Sequence, residues 1–177
     1  MIVVTGLPAS GKSTVGALLS QELALPLIDK DTILEALFDA LGCPDTDERT
    51  RLSRASDEVL FSLAATAVNP ILVNWWNHDS AGLRLLPIAP AIVEVFCDCP
   101  VEMAAARFEA RDRHPGHHDL RRSPADVKEW IKLMSDTYRG PLSVGGPLIR
   151  IDLRDNFDRD ALLSQVRTSM ASVLTSN

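Results

Sequence analysis

Ile2-Val3-Val4-Thr5-Gly6-Leu7-Pro8-Ala9-Ser10-Gly11-Lys12-Ser13 decides the architecture of this chain. Ile2 to Thr5 are apolar or β-branched, as a buried strand requires, and a helix-compatible stretch begins at Lys12. Between them, Gly6 and Gly11 stand where the backbone must curl so that successive N–H groups point inward at one anion, a geometry that side chains would obstruct. The helix adds the positive end of its dipole, Lys12 can reach the outer phosphates of a nucleotide, and the Ser13 hydroxyl can ligate Mg²⁺. Average composition brings the fixed positions of this motif together by accident in under about one in a hundred such chains. The strand before it and the helix after it are the context the motif needs. Gly6, Pro8, Ala9, Ser10, Gly11, Lys12, Ser13 and Thr14 are therefore the candidate nucleotide-binding residues.

Outward from this loop, short apolar runs alternate with longer helical patterns, the sequence form of a parallel sheet covered on both faces. Strands are expected at Ile2 to Thr5, Pro26 to Ile28, Ile71 to Asn74, Ala91 to Cys97 and Leu148 to Asp152, with the first, third, fourth and fifth central. Helices are expected at Lys12 to Leu23, Thr32 to Leu41, Glu48 to Val68, Val101 to Arg111, Pro124 to Tyr138 and Asp158 to Leu174. Ser123-Pro124 supplies an N-cap followed by proline at the first helical position, and Cys99-Pro100 precedes another helix in the same way. The fold class is α/β, a three-layer α/β/α arrangement in one domain over 1–177. Residues 111–122 are dense in Arg, His and Asp around one Pro-Gly turn and carry no apolar stripe, so a loop or mobile flap is expected there.

With 177 residues, 46% of them apolar, the chain can bury one substantial core, and one active site is expected. A net charge of -6 provides no broad attraction for nucleic acid, leaving only a local basic patch as a route to such a partner. No signal-like segment precedes the first strand and no apolar run is long enough to span a bilayer, so a cytoplasmic protein is expected. Three cysteines, Cys43, Cys97 and Cys99, are an odd count without metal-site spacing. Cys97 and Cys99, two apart on a strand, are expected to share one face as core packing.

Leu27-Ile28-Asp29-Lys30-Asp31 places two carboxylates at the C-terminal end of the second strand, the edge where open α/β sheets bind ligands. Alternation along an extended segment would turn Asp29 and Asp31 to one side, so that one supports hydrated Mg²⁺ and the other accepts a proton from an acceptor hydroxyl. Alternatively, Asp31 is the N-cap of the helix at Thr32. After the third strand, Asn74, Trp75, Trp76 and His78 combine aromatic walls with polar groups and are candidate acceptor contacts. One tryptophan filling a sheet–helix interface is the competing reading of that stretch. Arg107 and Arg111 lie one helical turn apart and could face the same phosphates, where arginine suits developing phosphoryl charge; Arg113 is a further candidate substrate contact. A solvated helix face is the alternative. His114, His117, His118 and Asp119 lack the fixed frame of a structural zinc site, and a segment contacting substrate or nucleotide is expected instead.

The glycine loop, the Asp-x-Asp at this interval and the arginine-rich segment together resemble the small P-loop kinases, including shikimate kinase, gluconate kinase, chloramphenicol phosphotransferase and unassigned AAA-type small-molecule kinases. The resemblance covers nearly the whole chain. It implies a five-stranded parallel sheet, a requirement for ATP and Mg²⁺, a helical lid at about 107–125, and phosphorylation of a hydroxyl on a small molecule. By position, Asp29 resembles the carboxylate used around Mg²⁺, and Asp31 the acceptor-binding carboxylate and base. Arg107 and Arg111 resemble the arginines near adenine and phosphate respectively. Many relatives carry an acidic residue after the third strand where this chain reads Leu72-Val73-Asn74-Trp75, and the glycine-rich acceptor motif of shikimate kinases is missing. The sequence names no acceptor and sets no oligomeric state. A polynucleotide or nucleotide kinase, and a nucleotide-dependent switch or partner-binding ATPase, are the competing functions.

Overall fold

The computed structural model describes residues 1–89, 91–118, 123–138 and 140–175. Five parallel strands, β1 (Ile2–Gly6), β2 (Leu27–Asp29), β3 (Ile71–Val73), β4 (Val93–Asp98) and β5 (Leu148–Asp152), form one sheet in the order β2-β3-β1-β4-β5. Around it lie helices α1 (Lys12–Leu23), α2 (Lys30–Leu41), α3 (Thr46–Thr66), α4 (Ala81–Leu85), α5 (Val101–Ala110), α6 (Pro124–Tyr138) and α7 (Arg159–Thr175). Among the described residues no helix is long and apolar enough to cross a membrane.

The three inner strands are buried on both faces, which is why Ile2-Val3-Val4 of β1 and Ile71-Leu72-Val73 of β3 are continuous apolar runs. Side-chain alternation splits the core in two. Ile2, Val4, Val73 and Val95 pack against Val15 and Leu19 of α1 and Leu163 and Val166 of α7. Val3, Ile28 and Leu72 pack on the other face against Leu60 of α3, Trp76 and Leu85.

Three expectations need correction. β5 is an edge strand, not a central one, and only Ile149 and Ile151 of its alternating residues are buried. Cys97 and Cys99 are both core packing but do not share a face, because β4 ends at Asp98 and the chain turns; Cys97 joins the α1 side and Cys99 packs with Phe96 and Phe108. The stretch from Lys30 is helical, so Asp29 and Asp31 do not alternate along an extended segment. Residues 111–118 form a loop, as expected, and it contacts α2. His114 stacks on Phe38 with ring centroids 5.4 Å apart, His117 meets the same ring edge-on at 5.2 Å, and a short 3-10 turn spans Pro115–His117. The rest of the expected flap, 119–122 with Asp119, lies outside the described residues.

One buried charge gives no sign of itself in the sequence. Glu94, 2% exposed on a central strand, accepts hydrogen bonds from Thr5 Oγ1 at 2.8 Å, Leu142 N at 2.7 Å and Ser143 N at 3.0 Å. It ties the loop before β5 to the strand that enters the glycine loop.

Candidate active site

At the C-terminal edge of the sheet, where β1 ends, the chain turns through Gly6 and Gly11 with φ of 143° and 101°, values that L side chains rarely adopt. A Cβ on Gly6 would stand 2.6 Å from Ser10 Oγ and 2.7 Å from the Cys97 carbonyl, so only glycine fits. Ser10 N donates to Leu7 O at 3.1 Å and closes the turn. No side chain caps the N-terminus of α1, which leaves its first-turn amides available to an anion. Lys12 folds over this turn and donates to Gly6 O at 3.0 Å and Leu7 O at 2.7 Å. Burial lowers its pKa from 10.5 to about 8.

The loop floors a cavity of about 710 Å³. Because β2 and β5 are the two sheet edges, the segments that follow them wall opposite ends of this cavity. Past β5 the wall is Leu153, Asp155, Asn156 and Phe157; past β2 it is Asp29, Lys30, Asp31 and Leu34, joined by Arg49 and Ser53 from α3.

Asp29 caps α2, accepting from Asp31 N at 2.9 Å, and lies beside the Ser13 hydroxyl. Burial pushes its carboxyl up, and the nearby Ser13 hydroxyl offsets only part of that. The N-cap is thus Asp29, not Asp31, as the helix begins two residues earlier than expected. Asp31, in the first turn of α2, pairs with Arg113 at 2.9 Å. Burial raises the Asp31 carboxyl, but Arg113, His117, Arg111 and Lys12 together outweigh it and leave the group below the usual carboxylate range. Hydroxyl and carboxylate oxygens at Ser13 and Asp29 are the hard donors that Mg²⁺ takes, so this pair fits the ion.

Pro8 to Thr14, Asn74, Trp75, Arg107, Arg111 and Arg113 all line the cavity. Arg107 and Arg111 diverge, because α5 ends at Ala110. Arg107 Nη2 donates to Leu153 O at 2.8 Å, at the β5 end, whereas Arg111 lies over the Phe108 ring at 4.6 Å and is close enough to lower Lys12 and Asp31 electrostatically. Trp76 and His78 are not in the cavity wall. Trp76 is the interface filler: it is 2% exposed, its Nε1 donates to Val4 O at 2.9 Å, and it packs on Phe61. The histidines are engaged separately, His114 with Asp39 at 3.0 Å, His117 with Glu35 at 2.9 Å and His118 with Cys43 at 3.5 Å. Sequence reasoning missed Lys30, Arg49, Ser53 and the Leu153–Phe157 wall, which reach the cavity only through the tertiary fold. The one local signal was the i, i+4 spacing of Ser53 and Asp57, which sets a polar stripe beside the apolar face of α3.

An AAA domain family model matches residues 1–134. The chain belongs to this family of P-loop kinases. This P-loop kinase is 30% identical to a protein of Chloroflexus aurantiacus j-10-fl taken to be a kinase, with a TM-score of 0.81 over 97% of this chain and 96% of that one. It is 31% identical to the adenylyl-sulfate kinase of Thermodesulfovibrio yellowstonii over 113 residues, 60% of this chain and 56% of the relative. To the cytidylate kinase of Sulfurisphaera tokodaii it is 30% identical over 121 residues, 65% of this chain and 64% of the relative. The chain thus spans less than two thirds of the length of either curated relative.

Proposed function

We propose that this P-loop kinase uses ATP and Mg²⁺ to phosphorylate a hydroxyl of a small molecule, a metabolite or an antibiotic. The observation that carries the reading is Asp31, a carboxylate in the same cavity as the phosphate loop and within electrostatic reach of Lys12. Lys12, the loop amides and the α1 N-terminus hold the phosphates, and Arg107 flanks the base at the β5 end. Ser13 and Asp29 would hold Mg²⁺, which would supply neutralisation of phosphate charge. The acceptor oxygen forms its bond to the γ-phosphorus as the bond to the bridging oxygen breaks, and ADP leaves. Asp31 orients the hydroxyl and takes its proton. With its pKa held down, Asp31 is ionised at neutral pH but is a weak base, which suits a late proton transfer. Arg113 shields Asp31 at rest and, with Arg111, meets the phosphoryl charge as it develops.

Three cations, Lys30, Arg49 and Arg113, line the acceptor half. They favour an acceptor with an anionic group beside its hydroxyl. They also support a second reading, a nucleoside monophosphate acceptor, which the likeness to a cytidylate kinase favours. The test is ADP release measured across neutral polyols and antibiotics, hydroxy acids and nucleoside monophosphates, with mass spectrometry for one added phosphate. Acceleration by a hydroxyl-bearing compound supports the leading reading, and acceleration by a nucleotide alone the second. Slow hydrolysis that no acceptor stimulates would make the chain a nucleotide-dependent switch.

A further inference from the structure

Asn74 occupies the position directly after β3, the strand hydrogen-bonded to β1 on one side and β2 on the other. Its predecessor Val73 stands in register with Val4, two residues before the phosphate loop, and with Asp29. The side chain is therefore flanked by the Ser13–Asp29 pair and the loop, in the cavity wall. It is also 7% exposed, so each of its polar atoms needs a partner inside the protein or on a ligand.

Asn74 Nδ2 has a partner, donating to Asp57 Oδ1 of α3 at 3.0 Å. The other Asp57 oxygen takes Lys30 Nζ at 2.9 Å, and Lys30 also donates to Ser53 Oγ at 3.1 Å. An ionised carboxylate only accepts, so the amide must turn its nitrogen to Asp57, and this fixes which atom is left. The atom left is the carbonyl Oδ1, buried with no hydrogen-bond partner among the described residues. A buried carbonyl without a donor destabilises the fold, a cost removed when a ligand brings the donor.

We propose that Asp57 is a positioning residue that locks the Asn74 amide so that its carbonyl accepts a hydrogen bond from a water on the nucleotide-bound divalent metal. Asp57 thereby does from α3, through an amide, what an acidic residue at the end of β3 would do directly. Lys30 holds Asp57 from the far side and keeps the carboxylate from turning toward the metal itself. The proposal rests on the reading that Ser13 and Asp29 hold Mg²⁺. Outer-shell groups of this kind are worth about 10- to 100-fold in metal affinity.

The test is calorimetric titration of the full chain with ADP, in Mg²⁺ and in chelator, without any acceptor. In Asn74→Ala the tightening that Mg²⁺ confers should fall about tenfold, with Mg²⁺-free affinity held within about twofold. Asp57→Asn should lose part of the tightening, because its amide no longer dictates how Asn74 turns. The exchange Asn74→Asp with Asp57→Asn recreates the hydrogen bond with the acid on the strand and should restore the tightening. Unchanged tightening in Asn74→Ala overturns the proposal, as does an equal loss with and without Mg²⁺. A wild-type chain that binds ADP with no gain from Mg²⁺ would instead refute the underlying reading that Ser13 and Asp29 hold the metal.

Discussion

Lys12 carries the clearest consequence at the scale of single residues. Burial brings its ammonium down from 10.5 to about 8, while bound phosphate favours the charged form. Nucleotide binding therefore takes up a proton once the pH exceeds about 8. The Lys12 contribution to affinity should be constant well below pH 8 and then fall by up to about tenfold per pH unit. The free protein responds with the opposite sign. Its unfolded chain binds more protons between about 8 and 10.5, so this group's penalty to folding shrinks as pH rises through that window. Calorimetry in buffers of different ionisation enthalpy measures the uptake directly, and a pH-independent affinity would contradict the assignment. Glu94 is the second case. Glu94→Ala strands three donors, among them Thr5 Oγ1 and Leu142 N, and should cost about 3 kcal/mol or more. For a chain of this size that is a fall in Tm of about 6–12 °C, read by thermal denaturation, and an unshifted Tm would mean that the loop finds other partners.

Among the secondary-structure elements, legibility followed the range of the interactions involved. α1 and α6 have the bounds expected from periodicity and capping, because those signals are local. α4, five residues long, is too short for a helical period to register. Residues 111–118 read as a flap because their own sequence holds no apolar stripe, yet their anchors lie on α2, at Phe38, Glu35 and Asp39. Gly116 is part of that fit, since a Cβ there would stand 2.5 Å from the Phe38 ring. Phe38→Ala should release the segment, raising amide hydrogen exchange at 114–118 while nucleotide affinity at the phosphate loop holds. Exchange unaltered by the substitution would show that the histidine–carboxylate pairs suffice. The phosphate loop was readable for the opposite reason, since its turn, its lysine and its helix start all fall between Gly6 and Ser13. Asp57 and Asn74, 17 residues apart, and Asp31 and Arg113, 82 apart, meet only once the sheet is assembled.

At the scale of the whole molecule, strand order divides the work. The phosphate loop leaves a central strand, and the segments after the two edge strands reach the cavity from opposite ends. Net charge is acidic, yet six cations line the cavity, Lys12, Lys30, Arg49, Arg107, Arg111 and Arg113, against three carboxylates, Asp29, Asp31 and Asp155. The field is thus concentrated in the cavity over the glycine loop. On this account Asp31 serves the acceptor and not the nucleotide. The most direct measurement is turnover of Asp31→Asn with an accepted substrate, alongside its affinity for Mg²⁺-ATP. Turnover should fall by about 10²- to 10⁴-fold with nucleotide affinity nearly unchanged, whereas wild-type turnover in this variant would contradict the assignment of Asp31 as the group that receives the acceptor's proton.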